Sequence, residues 1–366
     1  MIIKNGLVFE PDGTFLQRDL FVDRDHRIAA AGDPADSDVY DASGFYVIPG
    51  LVDVHIHGAM GHDFCDNNAE GLSEMSAYLK AHGITSFCPT SMTLPTEDLK
   101  QIFTSAGKVP TDAAHAGIVG IHMEGPYISP AKKGAQKEDY IVSPDIDTFR
   151  ELNDSCNGLI RLVTLAPELP GSMEFIRALH DEVAISLGHS VADYDTASQA
   201  FAAGASHATH LFNAMPPLLH RDPGIIGAAF DNPHVMVEVI CDGIHITPSV
   251  IRMIFRLFGE DRVILISDAM RATGMEDGVY ELGGQQVFKK GNRATLADGT
   301  LAGSATNLFD CMRHAVSFGI PLTSAIKAAT CNPARSIGND RIGSLAPGKE
   351  ADILLLNQEL SLVKVL

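Results

Sequence analysis

At 366 residues the chain is long enough for one barrel of about 250 residues with a small appendage. Its hydrophobic content of 45%, its charged content of 20% and the lack of any low-complexity linker exclude a disordered chain. A net charge of −19 argues against nucleic acid or an anionic membrane as partner, since both call for a basic surface, so an anionic substrate would need a local cationic pocket.

Residues 1–46 read as short strands and turns: Ile2–Phe9, a turn at Pro11-Asp12-Gly13, then Leu20–Val22 and Ile28–Ala30. Residues 341–366 again alternate turns with strand-like runs, so both termini are expected to complete one small β-unit beside a main domain at 47–340. The start of the sequence lacks the apolar core of a signal peptide, and no run near 18 apolar residues follows. Six cysteines without a Cys-x-x-Cys spacing fit reduced thiols, so a cytoplasmic location is expected.

Between the termini, short apolar strands alternate with helix-like segments, the pattern of a parallel sheet with helical crossovers. Eight strands are expected, at Val47–His57, Ile84–Cys88, Gly117–Glu124, Ile160–Ala166, Val183–His189, Ala208–Leu211, Val235–Asp242 and Val263–Asp268. Amphipathic stretches at Leu72–His82, Met173–His180, Tyr194–Ala203 and Ser249–Phe258 supply helices between them. The fold class this predicts is α/β: a (β/α)8 TIM-like barrel with a small β-sandwich domain formed by both termini.

The chemically unusual residues gather at the C-terminal ends of those strands, where such barrels carry their active sites. His55 and His57 end the first, two residues apart and so on one face of an extended strand. Glu124 ends the third, His189 the fifth, His210 the sixth, Asp242-Gly-Ile-His245 the seventh and Asp268 the eighth. Each would need its own buried partner if it were merely structural; together they make a site for a first-row divalent metal. His62, His82, His180, His207, His234 and His314 lack this placement and are expected on the surface or on helices.

These stretches resemble the amidohydrolase superfamily, and within it the N-acetylglucosamine-6-phosphate deacetylase family. The resemblance rests on Pro49–Gly58, His122-Met-Glu-Gly-Pro126, Leu187-Gly-His-Ser190, His207–Met215, His220-Arg-Asp-Pro-Gly224, Asp242–His245, Ser267-Asp-Ala269 and the tail Gly343–Asp352. It implies a metallo-hydrolase barrel in which Glu124, His189 and His210 hold a principal divalent metal and His55 with His57 a second, zinc or iron being the ions implied. It further implies contacts to an amino-sugar phosphate from Ala135, Gln136, Asn213, Ala214, Arg221, His245, Leu301, Ala302 and Gly303, and a homodimer in which a neighbouring subunit can contribute to the phosphate pocket. Gln136 departs from relatives that carry a histidine near the acetyl carbonyl.

The chemistry follows from the residue types. A cation held by imidazoles and a carboxylate acidifies water toward a pKa of ~7, which suits hydrolysis of an amide. Asp268 is cast as the proton shuttle to the leaving amine, and Arg221, in a Pro/Gly-flanked loop, as the guanidinium that grips phosphate. A hydrolase of cyclic amides, aminated bases or the galactosamine epimer is the enzymatic alternative. A barrel retained only as a scaffold would not need this full set of ligands.

Overall fold

The computed structural model describes residues 1–31, 38–110 and 112–366. Residues 32–37, inside the expected terminal β-unit, and Thr111 lie outside the described residues. Eight parallel strands form the barrel: β1 (Leu51–Ile56), β2 (Ile84–Ser91), β3 (Ile121–Glu124), β4 (Ile160–Leu165), β5 (Ala184–Leu187), β6 (His207–Ala208), β7 (Met236–Ile240) and β8 (Val263–Ile266). Each pairs with the next in sequence order. The ends of β1 and β8 then meet, where the Asp268 N–H donates to the His55 carbonyl at 2.9 Å and the His57 N–H to the Ala269 carbonyl at 2.9 Å.

Residues of β1, β2, β4, β7 and β8 (Val52, Val54, Cys88, Leu162, Met236, Ile240, Ile264 and Ile266) form one apolar cluster, the filling of the barrel. A larger cluster joins the outward side chains, such as Val237, Val239 and Leu265, to the surrounding helices. The helix Pro248–Phe258 shows why: Ile251, Ile254, Phe255 and Phe258 fall at helical spacing on its buried side, Pro248 opens it and Gly259, at φ 73°, ends it.

The expected first strand is two elements. Tyr46–Pro49 pairs antiparallel with Ile353–Leu356 in a seven-stranded sheet built from both termini, and the barrel strand begins only at Leu51. Gly50 is the joint; a Cβ there would lie 2.0 Å from Thr85 Oγ1. The expected Gly117–Glu124 strand also divides, into Gly117–Ile118 and β3. The sixth is only two residues long, because the chain turns at Thr209 and takes positive φ at His210. A three-stranded antiparallel sheet, Gly278–Leu282, Gln285–Lys290 and Arg293–Thr295, follows β8 at the barrel mouth and was not foreseen, its half-exposed strands carrying little apolar signal.

Gly188 links this packing to the mouth. A Cβ at this position would lie 2.6 Å from Thr209 Cβ and 2.9 Å from Thr164 Cγ2, so β4, β5 and β6 approach each other only because it has none. Gly188→Ala should therefore destabilise the fold by about 1–3 kcal/mol, the usual cost of overpacking. Urea unfolding measures it, and an unchanged midpoint would show that the strands can part freely.

Candidate metal centre

Five of the eight barrel strands, β1, β3, β5, β6 and β8, deliver one or two polar side chains at their C-terminal ends to a common point. His55, His57, Glu124, His189, His210 and Asp268 are all at least nine-tenths buried. Glu124 Oε1 lies 3.2 Å from His189 Nε2, 3.2 Å from His210 Nε2 and 3.3 Å from His55 Nε2. Its Oε2 lies 3.4 Å from His57 Nε2. Asp268 Oδ1 completes the ring at 3.3 Å from His57 Nε2 and 3.5 Å from His55 Nε2.

Two donor groups result from these six, Glu124 with His189 and His210, and His55 with His57 and Asp268; a third group, His55 with His122 and Glu238, shares His55. Asp268, cast from sequence as a proton shuttle alone, is thus also a carboxylate donor beside the second histidine pair. Three of these residues stand in the left-handed region, at φ 47° for His189, 29° for His210 and 47° for Asp268. Non-glycine residues hold such conformations at a cost of about 1–3 kcal/mol each, and only where the surroundings fix them. Here the strain turns the strand ends so that the side chains converge.

The residues fit a divalent cation. His189 Nδ1 donates to the Lys132 carbonyl at 2.8 Å and His57 Nδ1 to the Thr90 carbonyl at 3.1 Å, while His55 Nδ1 pairs with Glu238 Oε2 at 3.0 Å. With Nδ1 committed in this way, Nε2 is the atom of each ring left to face a cation, once any proton it carries is displaced. His55 Nε2 is buried without a hydrogen-bond partner, and His189 Nε2 and His210 Nε2 approach to 3.0 Å, as nitrogens aimed at one shared ion would. Imidazole and carboxylate donors of this kind suit zinc, iron and other first-row ions.

Electrostatics agree. Burial opposes the ionised form of Glu124, yet the charges and hydrogen bonds of His189, His55 and His210 hold its carboxyl well below the usual range. Burial likewise opposes protonation of His57, but Asp268 and Glu124 push it up to about 10. His55 is raised well above its ordinary value against burial by Glu124, Glu238 and Asp268. His122, buried beside His55, is pushed down to about 3 by that burial and by the His55 charge.

Above the donors opens a cavity of about 370 Å³. Ala135, Gln136, Asn213, Ala214, His245, Leu301, Ala302 and Gly303, all expected from sequence at the sugar phosphate, line it, as does Lys132, which was not expected. Gln136 is committed to the centre: its Nε2 donates to Glu124 Oε2 at 2.7 Å, and its Oε1 accepts the Thr93 N–H at 2.6 Å. His245 Nδ1 pairs with Asp242 Oδ2 at 2.7 Å; burial opposes its charged form, but that contact raises its pKa. Arg221 is placed differently. It is exposed, donates to His220 Nε2 at 2.8 Å and does not line the cavity of its own chain.

Two buried residues escaped the sequence reading. His207, expected on the surface or a helix, is fully buried on β6, its Nδ1 3.4 Å from Glu238 Oε1. Glu238 was read only as part of an apolar strand; a charge at the centre of that run was the available signal.

The model of the Amidohydrolase family matches residues 46–365. The chain is 38% identical to the N-acetylglucosamine-6-phosphate deacetylase of Bacillus subtilis (strain 168), over 99% of this chain and 91% of that protein. It is 33% identical to the N-acetylgalactosamine-6-phosphate deacetylase of Escherichia coli O157:H7, over 92% of this chain and 90% of that one. Among solved structures it superposes, with a TM-score of 0.92 and 34% identity, on an aspartate-to-alanine mutant of the N-acetyl-D-glucosamine-6-phosphate deacetylase of Mycobacterium smegmatis in complex with N-acetyl-D-glucosamine-6-phosphate, covering 100% of this chain and 97% of that one.

Two outcomes follow from the geometry. Because His55 and His57 hold protons that an ion must displace, loading metal-free protein with zinc at pH 7 should release protons, and affinity should rise with pH by roughly tenfold per unit for each proton displaced. Calorimetry in buffers of different ionisation enthalpy measures the release. Gln136→Leu should weaken zinc binding by about 10- to 100-fold, since it frees the Glu124 carboxylate. Unchanged zinc affinity with a raised KM would instead mean that Gln136 serves only the substrate.

Proposed function

The chain belongs to the amidohydrolase family, and from that premise we propose that it hydrolyses the N-acetyl group of N-acetyl-D-glucosamine 6-phosphate, giving D-glucosamine 6-phosphate and acetate. The observation that carries this reading is the cavity itself: a buried ring of imidazoles and carboxylates at its floor and, along its wall, Lys132 and His245 as basic groups within an acidic protein.

The floor would hold one or two divalent ions, through Glu124, His189 and His210 and through His55, His57 and Asp268. When bound, such an ion supplies Lewis-acid polarisation of the amide carbonyl and makes attacking water more acidic. Asp268 does the proton work. Burial opposes its ionisation, but the hydrogen bond and charge of His57 and the charges of His55 and His210 hold it below the usual carboxylate range, so it is ionised and able to accept the water's proton. It then hands that proton to the amine as the C–N bond breaks. Gln136 keeps Glu124 in place, and His245, whose protonated form Asp242 favours against burial, turns its Nε2 to the phosphorylated sugar.

Arg221 enters this reading from a neighbouring subunit. Its loop also exposes Leu218 at 39% and Leu219 at 51%, an apolar pair beside a cation, which suits a contact with a second copy of the chain. Zinc or iron as the ion, a homodimer and a cytoplasmic location belong to the same proposal. All six cysteines stand as free thiols, which suits a reducing compartment, and among the described residues no helix is long and apolar enough to cross a membrane. So does the division into a β-domain of residues 1–46 and 341–366 and a barrel of residues 47–340, supported by the separate apolar cluster of Ile3, Val8, Leu20, Val47 and Ile353.

A panel of N-acetyl amino sugars tests the activity. Acetate release should be fastest with N-acetylglucosamine 6-phosphate, slower with the galactosamine epimer and lowest without phosphate; equal rates with and without phosphate would sink the proposal. A second experiment separates the catalytic and phosphate roles. Asp268→Asn should lower kcat by about 10²- to 10⁴-fold with its metal retained, and Arg221→Ala should lower kcat/KM on the phosphorylated sugar by about 10²-fold. Mixing the two impaired variants should raise activity above that of either alone, because a mixed dimer contains one site with Asp268 from one chain and Arg221 from the other. No recovery after verified subunit exchange would place Arg221 outside the partner's site.

A further inference from the structure

Glu238 occupies the middle of β7, fully buried. Its strand neighbours Met236 and Ile240 belong to the apolar filling of the barrel, with Val52, Cys88, Leu162, Ile264 and Ile266. A carboxylate in such surroundings is strongly disfavoured unless hydrogen bonds or opposite charges compensate it. The partners here are specific and all on one oxygen. Oε2 accepts from His55 Nδ1 at 3.0 Å and from the backbone N–H of His210 at 3.3 Å, while Oε1 makes no hydrogen bond and has His207 Nδ1 as an ion-pair neighbour at 3.4 Å. Glu238 does not line the cavity, so no substrate reaches it.

One carboxylate therefore touches a donor from each of the two groups. His55 belongs to the group with His57 and Asp268, and His210 to the group with Glu124 and His189. Pairing with Glu238 keeps the His55 proton on Nδ1 and directs Nε2, which has no hydrogen-bond partner, toward Glu124 Oε1 at 3.3 Å. The bond to the His210 N–H anchors that residue in the left-handed region, where its φ is 29° and its backbone is strained.

We propose that Glu238 is the positioning residue common to both metal positions, fixing the His55 ring and the His210 backbone from beneath the floor of the site. This rests on the reading of the floor as a metal centre.

Zinc binding to metal-free protein, followed by calorimetry, tests it in the wild type, Glu238→Met and Glu238→Gln. Methionine matches the volume without accepting a hydrogen bond. It should weaken zinc at the His55 position by about 10- to 100-fold, the usual effect of losing a ligand's outer partner. Glutamine keeps one acceptor oxygen where Oε2 stands and should recover most of the loss. A purely structural role for Glu238 predicts the reverse, since an apolar residue suits an apolar barrel and zinc affinity would be unchanged in Glu238→Met. Histidine ¹⁵N spectra of the zinc-loaded wild type give a second readout that needs no variant to fold. His55 should carry its proton on Nδ1, and a proton on Nε2 would overturn the role given to Glu238. A wild type that fills neither position with zinc would overturn the metal reading itself, whereas tight binding in both wild type and Glu238→Met overturns only this inference.

Discussion

Both oxygens of Glu124 are committed, Oε1 to His189, His210 and His55 and Oε2 to His57 and Gln136. An unpaired carboxylate with 2% exposure would cost several kcal/mol, so the surrounding imidazoles are a condition of its being there at all. Those imidazoles come from β1, β5 and β6, and they can face one glutamate only if the sheet closes on itself. Closure of β8 against β1 through the Asp268 N–H and the His55 carbonyl is thus a feature of the site as much as of the fold. The same contact sets Asp268 next to His55 and His57, where a carboxylate can both face an ion and move a proton.

The rim is supported at several depths. The loop that carries Lys132, Ala135 and Gln136 binds His189 through a carbonyl and Glu124 through an amide, and Gln285 of the mouth sheet donates to the Ala135 carbonyl at 2.7 Å. Below lies Glu238, and beside it His207 and His122, whose Nε2 pairs with Thr164 Oγ1 at 2.8 Å. Ring orientation is therefore set by neighbours that themselves have little freedom. Catalysis by this family calls for such preorganisation, because donors that must rearrange during reaction lose much of their electrostatic effect.

Charge shapes access as well as chemistry. With −19 overall, the protein repels a phosphorylated sugar on average, and attraction has to be local. Under the proposed function, His245 and Lys132, which line the cavity, would supply it within one chain. In the proposed dimer the exposed Arg221, close to the exposed Leu218 and Leu219, would add to it from a second chain, which would tie substrate preference to assembly.

Much of this was legible in the sequence. The alternation of strand and helix is a local pattern of apolar residues, and it marked eight barrel strands to within a few residues. The two-residue spacing of His55 and His57 and the placement of Glu124, His189, His210 and Asp268 at strand ends pointed to one rim, since strand parity and strand polarity are also local. Tertiary structure decided the rest. His55 and Glu238 are 183 residues apart, and only the closed barrel makes them partners, so nothing near either residue announced the contact. The left-handed turns at His189, His210 and Asp268 are imposed by surroundings against the preference of the residues themselves. Gln136 and Arg221 illustrate the same division: their types could be read as donors to a substrate, but whether a side chain faces the cavity, a buried glutamate or a second subunit depends on where the folded chain leaves it.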